Sequence, residues 1–457
     1  MAVAAPGNHW TSRFAFLMAA IGSAVGLGNI WRFPYLAGEN GGAAFLLIYV
    51  VTTTAIALPI LMAEIMIGRM GGRSPMNTMI ELVRRYKRSY FWILIGLGST
   101  IGAFVVLSYY SVIGGWALKY IQAAMTGEFA GATAESSGAL FGDFTGDANA
   151  VILWHSIFLG LTALIVVGGL NNGIERAVTI LMPLLFILLI GMAIYAVSTP
   201  GFSQGWHFLF DVDLEEVTRE TFLAAIGQGF FSVSVALGAM MAYGAYLDAD
   251  VSIPRSAIII AAADTSVAII AGIAIFPLVF TYGLEASSGP GLIFVTLPVA
   301  FGQMPNGEWI GAAFFILLSV AAITSAISLL EPVVHWAEES FGVRRGPATL
   351  VTALAAWLVG LLSAFSFNAW AAIRPLPWFE RTAEFTFFDT FDFSSSNIVM
   401  PTVGLLIALF AGWALPWQTV ADHMNAGDAV WFRIWRILLR FVAPIGVLSI
   451  FVVNVLL

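Results

Sequence analysis

Two stretches of the chain carry glycine, serine and polar side chains inside otherwise apolar sequence. The first runs Gly22-Ser23-Ala24-Val25-Gly26-Leu27-Gly28-Asn29-Ile30-Trp31-Arg32-Phe33-Pro34, with three glycines in seven residues. The second runs Gly227-Gln228-Gly229-Phe230-Phe231-Ser232-Val233-Ser234-Val235-Ala236-Leu237-Gly238. Glycine at this density weakens a helix, and hydrocarbon has no water to satisfy freed backbone groups. A helix broken there exposes amides that bind an anionic group, favoured by the half-helix dipole, and carbonyls that coordinate a cation. A closed oxygen cage suits a hard monovalent cation. The five histidines, His9, His155, His207, His335 and His423, show no transition-metal spacing, and the chain has no cysteine. Blander readings exist for each part, since Gly22-xxx-Gly26 is also a helix-packing motif and a lone mid-helix Ser usually bonds back to its own helix. The third glycine, Asn29 and the recurrence of the pattern favour broken helices.

The elements that must hold these stretches are membrane spans. Of 457 residues, 60% are hydrophobic and only 10% charged, with mean hydropathy +0.91, against a soluble norm of about 25% charged. Length alone suggests about three soluble domains, a prior that this composition overrides. Net charge −8 disfavours nucleic acid as a partner. The first ten residues carry no Lys or Arg, so no cleaved leader is expected. Apolar runs long enough to cross about 30 Å of hydrocarbon fall near 12–37, 43–69, 90–123, 151–170, 176–198, 219–247, 256–284, 308–338, 348–367, 396–416 and 432–457. The runs are continuous rather than alternating, which predicts eleven helices and an all-α polytopic membrane protein.

With the N-terminus cytoplasmic, fourteen basic residues, among them Arg69, Arg84, Arg255 and Arg433, lie on or near the inner side. Five remain elsewhere, namely Arg32, Lys119, Arg219, Arg374 and Arg381. That bias predicts a cell (inner) membrane protein whose odd number of spans puts the C-terminus outside. Irregular segments five spans apart predict inverted repeats, one over about 10–200 and the other over about 215–418, with an extra helix over about 430–457, all in a single domain 1–457. Broken helices at the repeat interface are the chemistry of a carrier.

These segments resemble the neurotransmitter:sodium symporter family, in particular its prokaryotic amino-acid transporters with the LeuT-type 5+5 fold. The resemblance rests on Trp10, the run Gly22 to Pro34, Glu39-Asn40-Gly41-Gly42, Glu64 with Gly68-Arg69, Tyr109-Tyr110, Gly227 to Ser234, Thr324-Ser325 and Asp389-x-x-Asp392-Phe393. It implies broken helices 1 and 6, no enzymatic activity, and sodium-coupled import of a neutral amino acid by alternating access. Spans 1, 2, 6 and 7 would rock against the rest.

Carried over residue by residue, the resemblance implies a substrate carboxylate on the amides of Leu27 and Gly28 and the Tyr110 hydroxyl. The ammonium would meet carbonyls of Ala24, Phe231 and Ser232 and the Ser234 hydroxyl. Val106, Ser234, Leu237, Ser325 and Leu329 would set specificity, with Phe231 closing the pocket above. One sodium would sit on the Ala24 carbonyl, Asn29, Ser232, Asp264 and the substrate carboxylate, so that ion and substrate raise each other's affinity. A second would use carbonyls of Gly22, Val25 and Ala321 and the hydroxyls of Thr324 and Ser325. Arg32 and Asp392 would form the outer gate, meeting when the vestibule closes. Glu64 would be a structural acceptor facing the broken first span.

Departures from the family pattern carry their own expectations. Tyr49, Gln228 and Ser232 stand where chloride-dependent members help bind the anion, but Ala268 stands where a further Ser is needed, and Asp264 lies one turn earlier on the same helix face. Asp264 is therefore expected to supply a fixed negative charge that removes any chloride requirement. Gly7 replaces the Arg of the inner gate, Glu339 stands at its acid partner's position, and Arg13 is the candidate substitute. Ala236 stands where relatives have Gly; its methyl restricts positive φ, which predicts a small or medium aliphatic substrate and poor tryptophan binding. Uptake of another small amine or zwitterionic osmolyte is the nearest alternative, and a polytopic membrane enzyme or a channel the different-class one. The assembly is a monomer or homodimer.

Overall fold

A computed structural model describes residues 9–213, 215, 217–287, 289, 291–427 and 429–452. Gly7 and the last five residues of the expected eleventh span, 453–457, lie outside the described residues. Nine helices there are long and apolar enough to cross a membrane, and the bent pair Arg13–Ala24 plus Gly28–Glu39 adds a tenth crossing. In chain order the bent pair is span 1, followed by span 2 (Ala43–Gly71), span 3 (Tyr90–Met125), span 4 (Ala148–Val167) and span 5 (Leu170–Val197). Span 6 is divided into Arg219–Ser232 and Ala239–Ala245. Then come span 7 (Ile253–Thr281), span 8 (Gly307–Phe341), span 9 (Arg345–Phe365), span 10 (Phe387–Ala414) and span 11 (Val430–Phe451).

Local chemistry sets the starts and stops. Ser12 caps span 1 by accepting the Ala15 amide, and Thr218 opens span 6 with a reciprocal capping box to Thr221. Gly72, at φ 61°, ends span 2 in the left-handed conformation that glycine adopts without strain.

Both interruptions fall where the sequence is richest in small residues. Span 1 leaves the helix at Val25, resumes through a π turn at Gly28–Arg32, and changes direction by 46°. Span 6 loses its helix between Ser232 and Ala239, with positive φ at Ser234 (52°), Ala236 (73°) and Gly238 (75°). Ala236 therefore adopts the conformation that its methyl was expected to oppose. The reason lies in span 2, where fully buried Glu64 accepts the amides of Ala236 at 2.8 Å and Gly238 at 3.1 Å. Glu64 thus braces the break in span 6, not span 1 as the sequence reading had it.

The second half of span 6 lies hard against span 2. A Cβ on Gly68 would stand 2.0 Å from the Met241 carbonyl oxygen, so only glycine permits this approach. Spans 3 and 8, each of more than thirty residues, pack along one another through the centre of the bundle. Lipid-facing residues such as Leu164, Ile187 and Leu350 are exposed.

Candidate substrate and ion site

The site is assembled around the break in span 1. The Leu27 amide donates to the Tyr110 hydroxyl at 3.2 Å. The Gly26 amide donates to Asn29 Oδ1 at 3.1 Å, and the Gly28 carbonyl accepts Gln228 Nε2 at 2.7 Å. A Cβ on Gly26 would stand 2.4 Å from Ser325 Oγ and 2.9 Å from Tyr110 Oη, which explains a glycine at the narrowest point of the site. Val106, Leu237, Leu329 and Ser325 are buried below, and the Ser234 hydroxyl donates to the Ser23 carbonyl at 3.0 Å.

Phe231 lies over this region, and the Arg32 guanidinium sits 4.4 Å above its ring. Above them opens a vestibule of about 320 Å³, lined by Arg32, Tyr109, Tyr110, Trp116, Phe231 and Asp392 among others. Arg32 and Asp392 both face it without forming an ion pair. Asp392 instead accepts from Tyr109 at 3.2 Å and Ser396 at 3.3 Å, and Arg32 Nη1 is buried without a hydrogen-bond partner. The two gate residues share the lining of one vestibule without bonding to each other.

Beside the substrate region, Asn29, Ser232, Tyr49 and Asp264 form one buried polar cluster. Asp264 accepts from Asn29 Nδ2 at 2.8 Å, Ser232 Oγ at 2.7 Å and Tyr49 Oη at 3.2 Å. Ala24 is buried at the end of the first half of span 1, whereas Ala268 packs with Phe33, Phe45 and Tyr49. The carboxylate of Asp264 thus stands among the hydroxyls of Tyr49 and Ser232, with Gln228 held at the Gly28 carbonyl.

Of the residues expected at a second ion site, Ser325 reaches the carbonyls of span 1. Ser325 Oγ lies 3.3 Å from the carbonyl oxygens of both Gly22 and Val25, and Thr324 Oγ1 lies 3.0 Å from that of Ala321. Span 8 therefore meets the carbonyls of span 1 through Ser325, while Thr324 is bonded back to its own helix. Such a donor set fits a hard cation. Ser23, absent from the expected set, ties the same junction through its hydroxyl to Ser328 at 2.8 Å and its carbonyl to Ser234 and Ser325.

The opposite end is sealed by contacts that sequence reasoning missed. Trp10 donates its indole N–H to the Tyr243 carbonyl at 3.0 Å and packs edge-on against that ring. Thr11 bonds to Glu175 through both its amide and its hydroxyl, and His9 pairs with Asp248 at 2.9 Å. Glu339 is held by Ser74 and Asn77 rather than by an arginine of the N-terminal segment, and Arg13 Nε and Nη2 are buried without partners. Glu331, buried within span 8, pairs with Arg345 and accepts from Tyr246 at 2.9 Å. An ionisable residue inside an apolar span was the available signal for it.

This architecture recurs in known proteins. The structure of MhsT in complex with L-phenylalanine superposes with a TM-score of 0.89 at 40% identity, covering 97% of this chain and 99% of that one. The uncharacterized sodium-dependent transporter YhdH of Bacillus subtilis (strain 168) is 36% identical over 97% of this chain and 96% of its own length. A sodium-dependent transporter of Haemophilus influenzae (strain ATCC 51907 / DSM 11121 / KW20 / Rd) is 31% identical over 97% of each. The sodium:neurotransmitter symporter family model matches residues 7–138 and 145–457. With two broken spans, an open vestibule above an amide-lined site and these matches along nearly its whole length, the chain belongs to the sodium:neurotransmitter symporter family, whose members are sodium-dependent transporters and not enzymes.

Proposed function

We propose that the protein imports a neutral, hydrophobic amino acid together with sodium, by alternating access and without chloride. The observation that carries this reading is the Tyr110 hydroxyl at the Leu27 amide, beside Gly26 and Gly28. A carboxylate entering there meets the Leu27 amide, which only a neutral phenol now occupies, and that phenol's own hydrogen. Two sodium ions complete the site, one by Ala24, Asn29, Ser232 and Asp264, the other by Gly22, Val25, Ala321, Thr324 and Ser325. Asp264 supports chloride independence, because its charge stands where Tyr49 and Ser232 converge. The preference for small and medium aliphatic substrates loses its premise with Ala236 at φ 73°. The L-phenylalanine held by the similar MhsT argues that the range extends to aromatic side chains.

Spans 1, 2, 6 and 7, drawn from the repeats about 10–200 and 215–418, rock against the rest about the site, with span 11 outside both repeats. The protein lies in the inner membrane as a monomer or homodimer, its N-terminus cytoplasmic and its C-terminus outside. The test is binding of radiolabelled neutral amino acids to purified protein in sodium and in potassium, each with chloride and with gluconate. Sodium-dependent binding of leucine or phenylalanine, equal in chloride and gluconate, is expected. Binding indifferent to sodium sinks the symport reading; binding that needs chloride sinks the role of Asp264.

A further inference from the structure

Where span 10 ends and span 11 begins, two arginines and two tryptophans join the two helices. The Arg440 guanidinium lies 4.5 Å from the centre of the Trp413 indole, and that of Arg436 lies 3.5 Å from the Trp417 indole. Arg440 Nε donates to the Gly412 carbonyl at 2.5 Å. A Cβ on Gly412 would stand 3.0 Å from Arg440 Cγ, so the glycine leaves the room that this side chain fills. Both helices widen into π turns at the contact, Phe410–Ala414 on span 10 and Leu438–Val442 on span 11. Such turns recur at functional positions.

Snorkelling does not describe this arrangement. A snorkelling arginine extends its stem and puts the whole guanidinium in water. Here Arg440 is bonded to span 10, and Arg436 Nε is buried without a hydrogen-bond partner. Arg433, one turn nearer the start of span 11, adds a third, exposed charge. Among the described residues no carboxylate forms an ion pair with any of the three. A guanidinium carries five N–H donors in one plane. Gly412 accepts one of those on Arg440, and an indole face attracts the charge without accepting a hydrogen in that plane. Arg436 and Arg440 lie four residues apart, about 6 Å along the helix axis, where two cations repel each other strongly at low dielectric and an anion between them relieves the repulsion.

An anion with oxygen acceptors complements these donors, and the surroundings require it to be amphiphilic. Trp413 is 53% exposed, and Ile437, Phe441 and Ile445 on span 11 are exposed as well, so the arginines lie beside a lipid-facing surface. Indoles at the end of a span mark the depth of the headgroups. Parallel N–H donors of arginine match phosphate oxygens in pairs. We propose that Arg436 and Arg440, with Arg433 beside them, bind the phosphate of an anionic phospholipid whose acyl chains run along Ile437, Phe441 and Ile445. The lipid fastens span 11, which lies outside both repeats, to span 10. Such binding requires span 11 to lie in a bilayer and is independent of sodium and cargo.

Native mass spectrometry of the purified protein, mixed with equal amounts of phosphatidylglycerol and phosphatidylcholine, tests this. Phosphatidylglycerol adducts are expected to exceed phosphatidylcholine adducts at least about tenfold, and each arginine removed should lower that preference about fivefold, the weight of one basic residue at an anionic surface. Arg436→Gln takes away a side chain whose Nε bonds nothing in the protein, so its thermal midpoint in lipid-free detergent should match the parent. Adding Arg440→Gln should bring the preference close to one. Arg84→Gln with Arg88→Gln, two exposed arginines before span 3, should leave it unchanged. Equal capture of both lipids by the parent overturns the proposal, as does a preference that survives the span 11 variants or falls equally in the Arg84 and Arg88 pair. A preference abolished by millimolar inorganic phosphate reveals a site for free anions and overturns the lipid assignment. Sodium-dependent amino-acid binding, measured on the same samples, stands or falls separately from all of these outcomes.

Discussion

Glu64 and Ala236 meet 2.8 Å apart, a buried carboxylate on span 2 receiving the amide of an alanine held at φ 73° in the unwound part of span 6. The contact explains how an L-residue with a methyl group keeps a left-handed backbone where glycine is the usual choice. The strain of that conformation, about 1–2 kcal/mol, is offset by the hydrogen bonds that buried Glu64 accepts from Ala236 and Gly238. Glu64→Ala leaves two buried amides without acceptors at about 1–3 kcal/mol each, and should lower the thermal midpoint and abolish substrate binding. Ala236→Gly should be tolerated, whereas Ala236→Val, branched at a left-handed position, should be less stable than the parent. Thermal unfolding of the three proteins checks the order.

On the proposed reading, Asp264 supplies a charge beside the Tyr49 and Ser232 hydroxyls that could otherwise help surround an anion. Asp264→Asn should therefore reduce sodium-dependent uptake by at least about tenfold in gluconate, a change of about 1.4 kcal/mol, and chloride should restore part of it. The parent should show the same uptake in both anions. Uptake by the variant that chloride leaves unchanged would count against the substitution of one charge for another.

Tyr110 has its oxygen on the Leu27 amide and its hydrogen available to a carboxylate. Removing the hydroxyl in Tyr110→Phe takes away one hydrogen bond to a charged group, worth about 1.5–3 kcal/mol. The dissociation constant for the amino acid should rise by about tenfold or more while the thermal midpoint hardly moves. Equilibrium binding in saturating sodium measures it.

Ser325 brings span 8 to the carbonyls of Gly22 and Val25. Ser325→Ala should raise the sodium concentration for half-maximal binding several-fold, since one ligand of a cation site is lost while the backbone oxygens remain. Scintillation proximity binding across a sodium series at fixed substrate separates this from a direct loss of substrate affinity. A sodium curve unchanged from the parent would remove Ser325 from the ion site.

Much of this could be read from residue types. The spans, the break at Gly22–Gly28 and the break after Ser232 were visible because glycine and serine interrupt apolar runs in a solvent that cannot satisfy free backbone. Asn29, Ser232 and Asp264 came together as expected because they follow from helix register. What was hidden depended on backbone angles and on conformational state. Nothing in the residue type of Ala236 reveals a positive φ, so Glu64 was aimed at the wrong span. Arg32 and Asp392 were paired by charge, yet their distance depends on which end is open. The inner seal joins Trp10 to Tyr243, far apart in the chain and through a backbone carbonyl, for which side-chain chemistry gives no signal.

The two ends of the pathway are guarded by unlike means. Above the site stand one aromatic ring and one guanidinium, which move by rotating about single bonds. Below it stand an indole on a carbonyl, a clasped N-terminal segment, and a doubly bonded carboxylate and guanidinium that also holds Tyr246, all of which must part together. On the proposed alternating-access reading, opening above the site is therefore a local fluctuation and opening below it a cooperative melting. Turnover should inherit the steep activation enthalpy of the second, so that cooling slows the delivery of cargo far more than its capture, and a chilled transporter accumulates in its loaded form.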